Sequence, residues 1–560
     1  MSKNTIFTIA PDGTETTVES IDSVKIHLAG NNNVVRIHQP NSFENCDIQM
    51  DGDNNILEIK SSTIGFRNLE ILMLSGGNNR KLIFGRDCSC ESLSIFHHES
   101  GSNLIIGNNV MFARNCTIQT TDSHAILDKS THKLVNMGPH DVTIGDNVWV
   151  AQGASILKHA KIPSNTIVGT GAIVTSVFND ENTVIGGMPA HILKRNIVWR
   201  RNQINAIVNM ADKLPIDPSD ITFVVQGAVD KTWTIKCLDS IRQFFPASHV
   251  ILSTWAGTDV SDIKYLCDDV IFNDDPGGIS HSNFKQFPTK FNLDRQIVST
   301  RNGLRAVKTK YAVKLRADSL IKGDGFVHYY NTLKNYDSKY KLFTNRVVSF
   351  AGYRGYSNNN KKSWLFCMHD YAYFGLTSDL LKLWDIPLMD DIEKDYWHKR
   401  HNDNWPDPND DYEWYINRWL TERKFRYQYH AEQYILLKAF KKLKGIKIKL
   451  QNMFDFDPEN DDLFKRILAN NFIPLYPERI GISLPKDEEN YNTYYTSELD
   501  YTYPEFLKLY NEYANGDAIV PESDSERAKW LIKPEPKKTT KRRKTVLYKI
   551  MHFYWLRGKK

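Results

Sequence analysis

Between Val142 and Val174 the aliphatic residues Ile144, Val150, Ile156, Ile162, Val168 and Val174 stand six apart without a slip. Small or β-branched residues (Val148, Ala154, Ala160, Thr166, Ala172) follow the first five of them by four. An α-helix wants an apolar period of about 3.6 residues and a half-buried strand wants about 2, so a sustained six fits neither. It fits a solenoid whose short flat faces each take one hexapeptide, with three faces closing one coil. The residue heading each hexapeptide then stacks on its counterpart one coil away and fills a narrow core. The pattern predicts a left-handed parallel β-helix.

Earlier residues repeat more loosely. Gly30-Asn-Asn-Asn, Gly52-Asp-Asn-Asn, Gly77-Asn-Asn and Gly101-Ser-Asn recur every 22 to 25 residues, and β-rich runs such as Val34-Val-Arg-Ile and Ile56-Leu-Glu-Ile follow them. Gly and Asn tolerate positive φ, so one such corner per coil extends the solenoid toward the N-terminus. The hexads run through Ile106, Phe112 and Ile118, break at Thr120 and resume at Val142. The polar insert between them carries His124, His132 and His140, and loops pushed out on one side of a solenoid usually build its binding face. After Ile185-Gly-Gly-Met-Pro-Ala190 the repeat ends; helical spacing then spans Asn196 to Leu214, before Pro215-Ile-Asp-Pro218 breaks it.

A second rhythm starts at Ile221. Thr222-Phe-Val-Val-Gln226-Gly227 reads as a buried strand entering a glycine turn, and Thr234 to Phe245 as an amphipathic helix. Val250 to Trp255 and Asp269 to Phe272 read as strands, Asn292 to Val307 as a helix, and Tyr311 to Asp318 as a strand ending in an acid. Alternating strands and helices predict an α/β domain with a largely parallel sheet. Ligands sit at the carboxyl ends of such strands, which places Gln226, Gly227, Ser253, Trp255 and Asp318 on one rim. The expected divisions are 1–195 for the β-helix, 196–220 for a linker helix, 221–510 for the α/β domain and 511–560 for a tail.

The net charge of +5 conceals an asymmetry. Between Lys537 and Lys560 stand ten cations and no acid, which leaves the rest of the chain near −5. This tail interleaves Val546, Leu547, Tyr548, Ile550, Phe553, Tyr554 and Trp555 with lysines, a basic amphipathic pattern suited to an anionic membrane surface. The seven cysteines are scattered and odd in number, and Cys88-Ser-Cys90 has no partner pair, so free thiols in a reducing compartment are expected. With no signal peptide and no spanning apolar run, the expectation is a cytoplasmic protein, peripheral to the inner membrane, with no nucleic-acid partner.

Residues 104–195 carry Thr121-Asp-Ser-His124, Ile144-Gly-Asp-Asn-Val-Trp149, Ile156-Leu-Lys158 and Gly186-Gly-Met-Pro-Ala190 with Lys194. In combination these resemble the hexapeptide-repeat acyltransferases, specifically the sugar O-acetyltransferases of bacterial surface-polysaccharide pathways. The resemblance implies acetyl-CoA as donor, a sugar hydroxyl as acceptor and a homotrimer with active sites between subunits. Acetyl transfer to a hydroxyl needs a base that titrates near neutrality; His124 lies at the matching position, with Asp122 placed to orient its ring. His132, His140 and His159 lack that support, and Asn136 sits where relatives place a polar loop residue. Coenzyme A would lie along the coils beside Gly153, Ala154, Thr170 and Gly171, with Lys194 for a phosphate, although solenoid packing alone accounts equally well for the small residues. Trp149 either walls the acceptor site or covers the coil edge.

Residues 221–440 carry Val224-Val-Gln-Gly227, Ile251-Leu-Ser-Thr-Trp255, Asn273-Asp-Asp-Pro-Gly277, Asn292-Leu-Asp-Arg-Gln296, Lys314-Leu-Arg-Ala-Asp318 and His430-Ala-Glu-Gln433. Their order and spacing resemble the WavE family of lipopolysaccharide-synthesis proteins, which looks like a group of GT-A-type glycosyltransferases. What this implies is a nucleotide-sugar donor, with Gln226, Gly227, Arg295 and Gln296 as candidate contacts, although a helix-face salt bridge explains Arg295 as well. Many such enzymes hold Mg2+ or Mn2+ on the phosphates with an Asp-x-Asp pair; here only Asp318 remains. Either Asp318 binds metal or donor ribose, or Lys314 and Arg316 take the phosphates directly. Glu432 is the first choice of base, then Asp370 and Asp411. Trp405 to Trp414 forms an acceptor wall or a solvated loop.

Together these imply a bifunctional enzyme of capsule or lipopolysaccharide assembly acting on a glycan or lipid-linked oligosaccharide. The alternatives are a glycosyltransferase with a non-catalytic trimerisation scaffold, and an acetyltransferase with a glycan-binding C-terminal module.

Overall fold

The structure, a computed structural model, describes residues 4–137, 140–280, 290–350, 352–353, 365–394, 428–443, 445–451, 457–484 and 500–521. The Trp405–Trp414 segment with Asp411, and the basic tail from Lys537, lie outside the described residues. Two compact units are present: Met1–Asn209 with Asp259–Asp268, and a second unit from Met210–Thr258 and the described residues after Asp269. Among the described residues no helix is long and apolar enough to cross a membrane.

The first unit is a parallel β-helix of three sheets with eight, eight and seven strands. Its register follows the hexads. Ile106 lies opposite Ile144, which lies opposite Ile162; Phe112, Val150, Val168 and Ile185 form the second row; Ile118, Ile156 and Val174 the third. All ten are buried in one continuous core. At the corners Asn109 donates to Asn147 and Asn147 to Asn165, at 2.8 and 2.9 Å. The second pair is 18 residues apart and the first 38, so 20 residues leave the coil between them. In one of the three sheets at each end the helix finishes on an antiparallel hairpin, Thr5–Ile9 with Glu15–Val18 and Val184–Gly187 with Ala190–Lys194.

The loose N-terminal repeat forms coils of the same solenoid. Asn33 Nδ2 donates to Ala29 and Gly52 carbonyls at 2.7 and 2.8 Å, and Asn55 Nδ2 repeats this on Asp51 and Gly77 at 2.8 and 3.1 Å. One coil further, Arg80 takes that place. Its buried guanidinium donates to the Met73, Leu74 and His97 carbonyls at 2.8 to 2.9 Å, so backbone oxygens carry most of its charge.

This arrangement makes the coil acid-sensitive. His97 is fully buried, its Nε2 bonded to Ser102, and burial together with the Arg80 charge pushes its pKa down to about 4. A folded-state pKa below the unfolded value of about 6.5 means the stabilisation is complete above pH ~6.5 and is lost as pH falls toward 4, by roughly 3 kcal/mol in all. Melting temperature should therefore fall across that window, and His97→Gln should flatten most of the slope, with His98, shifted the same way, leaving the remainder. Parallel slopes for the two proteins would refute this.

The helical spacing read from Asn196 begins only at Ile204, where an α-helix runs Ile204–Lys213. The preceding residues form an irregular strap on the coils. Trp199 Nε1 donates to Asn147 O at 2.7 Å, and Arg201 donates to Asn109, Ser89, Asp87 and Val110. Positions two apart face different ways on a helix, so a helix could not bring both side chains to one surface. Residues 259–268 also belong to this unit: Tyr265 Oη donates to Asp87 at 2.8 Å and Arg200 pairs with Asp268 at 2.9 Å.

The second unit is built on a seven-stranded sheet. Asp269–Asn273, His249–Trp255, Ile221–Gln226 and Tyr311–Arg316 lie side by side and parallel. Ala372–Leu376 follows antiparallel to Tyr311–Arg316, then Val347–Phe350 antiparallel to it, and Phe472–Leu475 parallel to that. Six of the seven strands therefore run the same way, the largely parallel sheet that the alternation predicts, with Ala372–Leu376 the one antiparallel member. The chain moves outward from Ile221–Gln226 to one side, then returns to place Tyr311–Arg316 on the other, so its topological switch point falls between Gln226 and Arg316.

Candidate functional sites

Thr120 ends a strand face, and the excursion turns back on itself as a hairpin. Leu127 bridges Leu134, Val135 N donates to Ile126 O at 2.8 Å, and the Asp128 side chain closes the tip on Ser130 and Thr131. Ile126, Leu127, Leu134, Val135 and Met137 are 42–76% exposed in the single chain, so apolar packing does not hold the hairpin against the coil. Polar groups do. Lys158 Nζ, on the next coil, donates to Asp122 Oδ2 at 2.5 Å and to Asn136 O at 3.2 Å. Asn136 Nδ2 donates to Asp122 Oδ2 and to His124 O at 3.0 and 2.8 Å, and its Oδ1 accepts from Ile126 N at 3.0 Å. Lys158 first, then Asn136, hold the Asp122 carboxyl below its usual range.

His124 is exposed, and its ring makes no hydrogen bond among the described residues. Asp122 does not orient that ring: its carboxylate is committed to Lys158 and Asn136, and its backbone carbonyl accepts from His124 N at 2.7 Å. His140 Nδ1 is bonded to Thr120 O at 3.0 Å at the loop's return. The sequence quoted Lys158 only as part of a motif, because its partner lies 36 residues away on another coil.

Gly153 and Gly171 occupy one corner in successive coils, both with φ near +70° and with open space where a Cβ would sit. Thr170 is exposed beside them, whereas Ala154 is fully buried, so of the four it packs the solenoid instead of lining a groove. The strand Ser155–Leu157 separates this corner from Lys158 and the hairpin. Trp149 faces outward, 6.0 Å from the Trp199 ring, and stands in register with Ile167, Val184 and Lys194 along one sheet. A single chain therefore brings together His124, Asn136, Asp122 and Lys158, and separately Gly153, Thr170 and Gly171.

In the second unit the switch point gathers charge. Arg316 binds Asp318 through two bonds of 3.0 and 2.6 Å and lies 5.0 Å over the Tyr371 ring. Burial opposes its charge, but Asp318 and Asp370 outweigh it and keep the guanidinium protonated. Lys314 is fully buried, donates to Asp370 O and lies 4.8 Å over Trp384; burial pushes its ammonium down to about 8 against the pull of Asp370. Asp370 accepts from Gln296, and Lys314 and Arg316 keep it ionised despite burial. Ala317 N donates to Gln226 O at 3.0 Å, and Gln226 Oε1 accepts from Ser299 at 2.7 Å, so Gln226 is fixed from both sides. Gly227, at φ 122°, donates to Ser253 O at 3.1 Å.

Arg295 is held by Asp275 through bonds of 2.7 and 2.6 Å, a salt bridge made to a residue outside its own helix. Glu432 does not stand as a lone base: its carboxylate is bonded to His430 Nδ1, and that pairing raises the imidazole pKa although burial opposes it. The set around Asp318 does not fit a divalent metal, since both its oxygens accept from Arg316 and no group of three potential ligands occurs among the described residues.

Residues 221–538 match the family model described as WavE lipopolysaccharide synthesis. The chain is 30% identical over 190 residues to the polysialic acid O-acetyltransferase of Neisseria meningitidis, 34% of this chain and 86% of that protein. It is 33% identical over 99 residues to the polysialic acid O-acetyltransferase of Escherichia coli O1:K1, 18% of this chain and 32% of that protein; the chain thus spans about a third of the latter's length. Among solved structures, the polySia-specific acetyltransferase NeuO aligns at 26% identity and a TM-score of 0.31, covering 36% of this chain and 80% of that one.

Proposed function

From a chain that belongs to the WavE lipopolysaccharide synthesis family, and over 190 residues to the family of the Neisseria meningitidis polysialic acid O-acetyltransferase, we propose a bifunctional enzyme of surface-polysaccharide assembly. The β-helix acetylates a glycan hydroxyl and the α/β unit transfers a sugar from a nucleotide sugar. The observation that carries the first half is the excursion hairpin, which presents an exposed His124 on a frame of Asn136, Asp122 and Lys158. A pure scaffold has no use for such a frame.

Acetyl-CoA, when bound, supplies the activated thioester. The corner of Gly153, Thr170 and Gly171 fits its approach, because nothing fills the space above either glycine; Lys194 would meet a phosphate. His124 accepts the proton of the attacking hydroxyl as the new ester C–O bond forms, and returns it to the sulfur as the C–S bond breaks. Trp149 walls one side. A homotrimer with the hairpin at subunit boundaries belongs to the same proposal, supported by the hairpin's exposed apolar residues. It predicts a solution mass near three times 64.7 kDa. Docking of the tail at the inner membrane is the corresponding proposal for localisation.

In the second unit Gln226 and Gly227 offer the donor rim, and Arg316 with Lys314 the cations that neutralise a leaving phosphate. Asp318 and Asp370 position those cations, and Glu432 acts through His430. Arg316→Met should lower nucleotide release from a nucleotide sugar at least tenfold, while a chelator leaves the wild-type rate unchanged. Loss of the rate on chelation would refute the metal-independent site.

The deciding experiment is thiol release from acetyl-CoA by the full chain, with polysialic acid and galactoside oligosaccharides as acceptors. No release and no acetyl-CoA binding would reduce the β-helix to a scaffold.

A further inference from the structure

We propose that Lys158 is the positioning residue for the acetyl-transfer site: its ammonium locks the catalytic hairpin to the solenoid through Asp122 and Asn136. The inference rests on the acetyl-transfer reading of His124. Three observations carry it. The hairpin has no apolar anchor in the chain, since its aliphatic side chains are exposed. Lys158 grows from the regular coil, just past the core residue Ile156, so its backbone is fixed by the ladder. Its Nζ reaches both limbs of the hairpin, Asp122 Oδ2 on the outgoing limb and Asn136 O on the returning one.

Asn136 then passes the position on, because the amide that binds Asp122 also holds the His124 carbonyl. The Lys158 charge is spent on Asp122, which separates this role from recognition of an anionic substrate. A base displaced by about 1 Å from its reacting hydroxyl loses up to about a hundredfold in rate without losing donor affinity.

The test uses the full chain with acetyl-CoA and polysialic acid. Lys158→Met should lower kcat for thiol release 10- to 100-fold with KM for acetyl-CoA within threefold, and Lys158→Arg should restore most of it. Asp122→Asn should cost about tenfold, and the Lys158→Met, Asp122→Asn double variant should be no slower than Lys158→Met alone, because both break one link. Amide exchange should rise at Ile126 and Val135, whose N–H groups are bonded inside the hairpin frame, and stay unchanged at Ile156. A kcat for Lys158→Met within twofold of an active wild type, multiplicative losses in the double variant, or unchanged exchange would each overturn the proposal for Lys158 alone. An inactive wild type would overturn the acetyl-transfer reading and this proposal with it.

Discussion

Replacing His124 with alanine should cut kcat for acetyl transfer at least a thousandfold while leaving the fold intact. General base catalysis contributes about 10²–10⁴ in rate, and no other described side chain on the hairpin frame is placed to substitute. Asp122 is ion-paired and Asn136 is spent on backbone and carboxylate bonds, so neither accepts a proton near neutrality. The His124 ring is exposed and makes no described hydrogen bond, so its loss removes no packing. The melting temperature should move by no more than about 1 °C, within the range of ordinary surface substitutions. Retention of a tenth of the wild-type rate would mean that the base lies elsewhere. Asp122→Asn provides the contrast. Had Asp122 held the imidazole as a triad carboxylate does, its loss would approach that of His124 itself. Acting through Lys158 and the hairpin frame, it should cost about tenfold.

The largest effect on stability is expected from Gly52→Ala. Gly52 has φ +75°, and a Cβ built there falls 2.2 Å from the Gly77 carbonyl oxygen of the next coil. The left-handed backbone alone costs an alanine roughly 1–2 kcal/mol. The overlap is with backbone, so relief requires the two coils to part, and with them the Asn55 bond to Gly77 O that ties this corner. A loss of at least about 3 kcal/mol is expected, which for a unit of this size lowers the melting temperature by about 6–12 °C. Gly153→Ala isolates the two contributions, because Gly153 has φ +72° with nothing within 4 Å of the added carbon. It should lose only the conformational part, about 1–2 kcal/mol. Equal destabilisation by both substitutions would show that close coil stacking contributes nothing.

The solenoid was legible because a hexapeptide repeat is local: each coil determines which of its residues face in, and the next copies the choice. Ile144, Ile162 and their neighbours stack as their spacing requires. The corner glycines were legible for the same reason, although the constraint at Gly30, Gly52 and Gly77, a carbonyl oxygen 2.0–2.2 Å from an added Cβ, exists only once the coils are stacked, and Gly101 has open space there instead. The Arg316–Asp318 pair was also within reach, since the two stand two residues apart where the strand Tyr311–Arg316 ends in a turn; the sequence offered Asp318 as a metal ligand because an acid near a strand end carries no mark of its neighbour's commitment.

Thus the sequence alone determined the parallel β-helix, the excursion loop that bears His124, and the α/β rhythm that puts Gln226 at the end of one strand and Asp318 in the turn just past another. Periodicity and turn chemistry act over a few residues, and the chain cannot avoid them. Tertiary structure alone decided the partners. Lys158 meets Asp122 across 36 residues because an inserted hairpin folds back on the following coil. Trp199 and Arg201 abandon helix for a strap because the coil surface offers them acceptors. Asp370 reaches Lys314 because the antiparallel strand Ala372–Leu376 is inserted beside Tyr311–Arg316. Each of these depends on where two distant segments are set down in space, which no local pattern encodes.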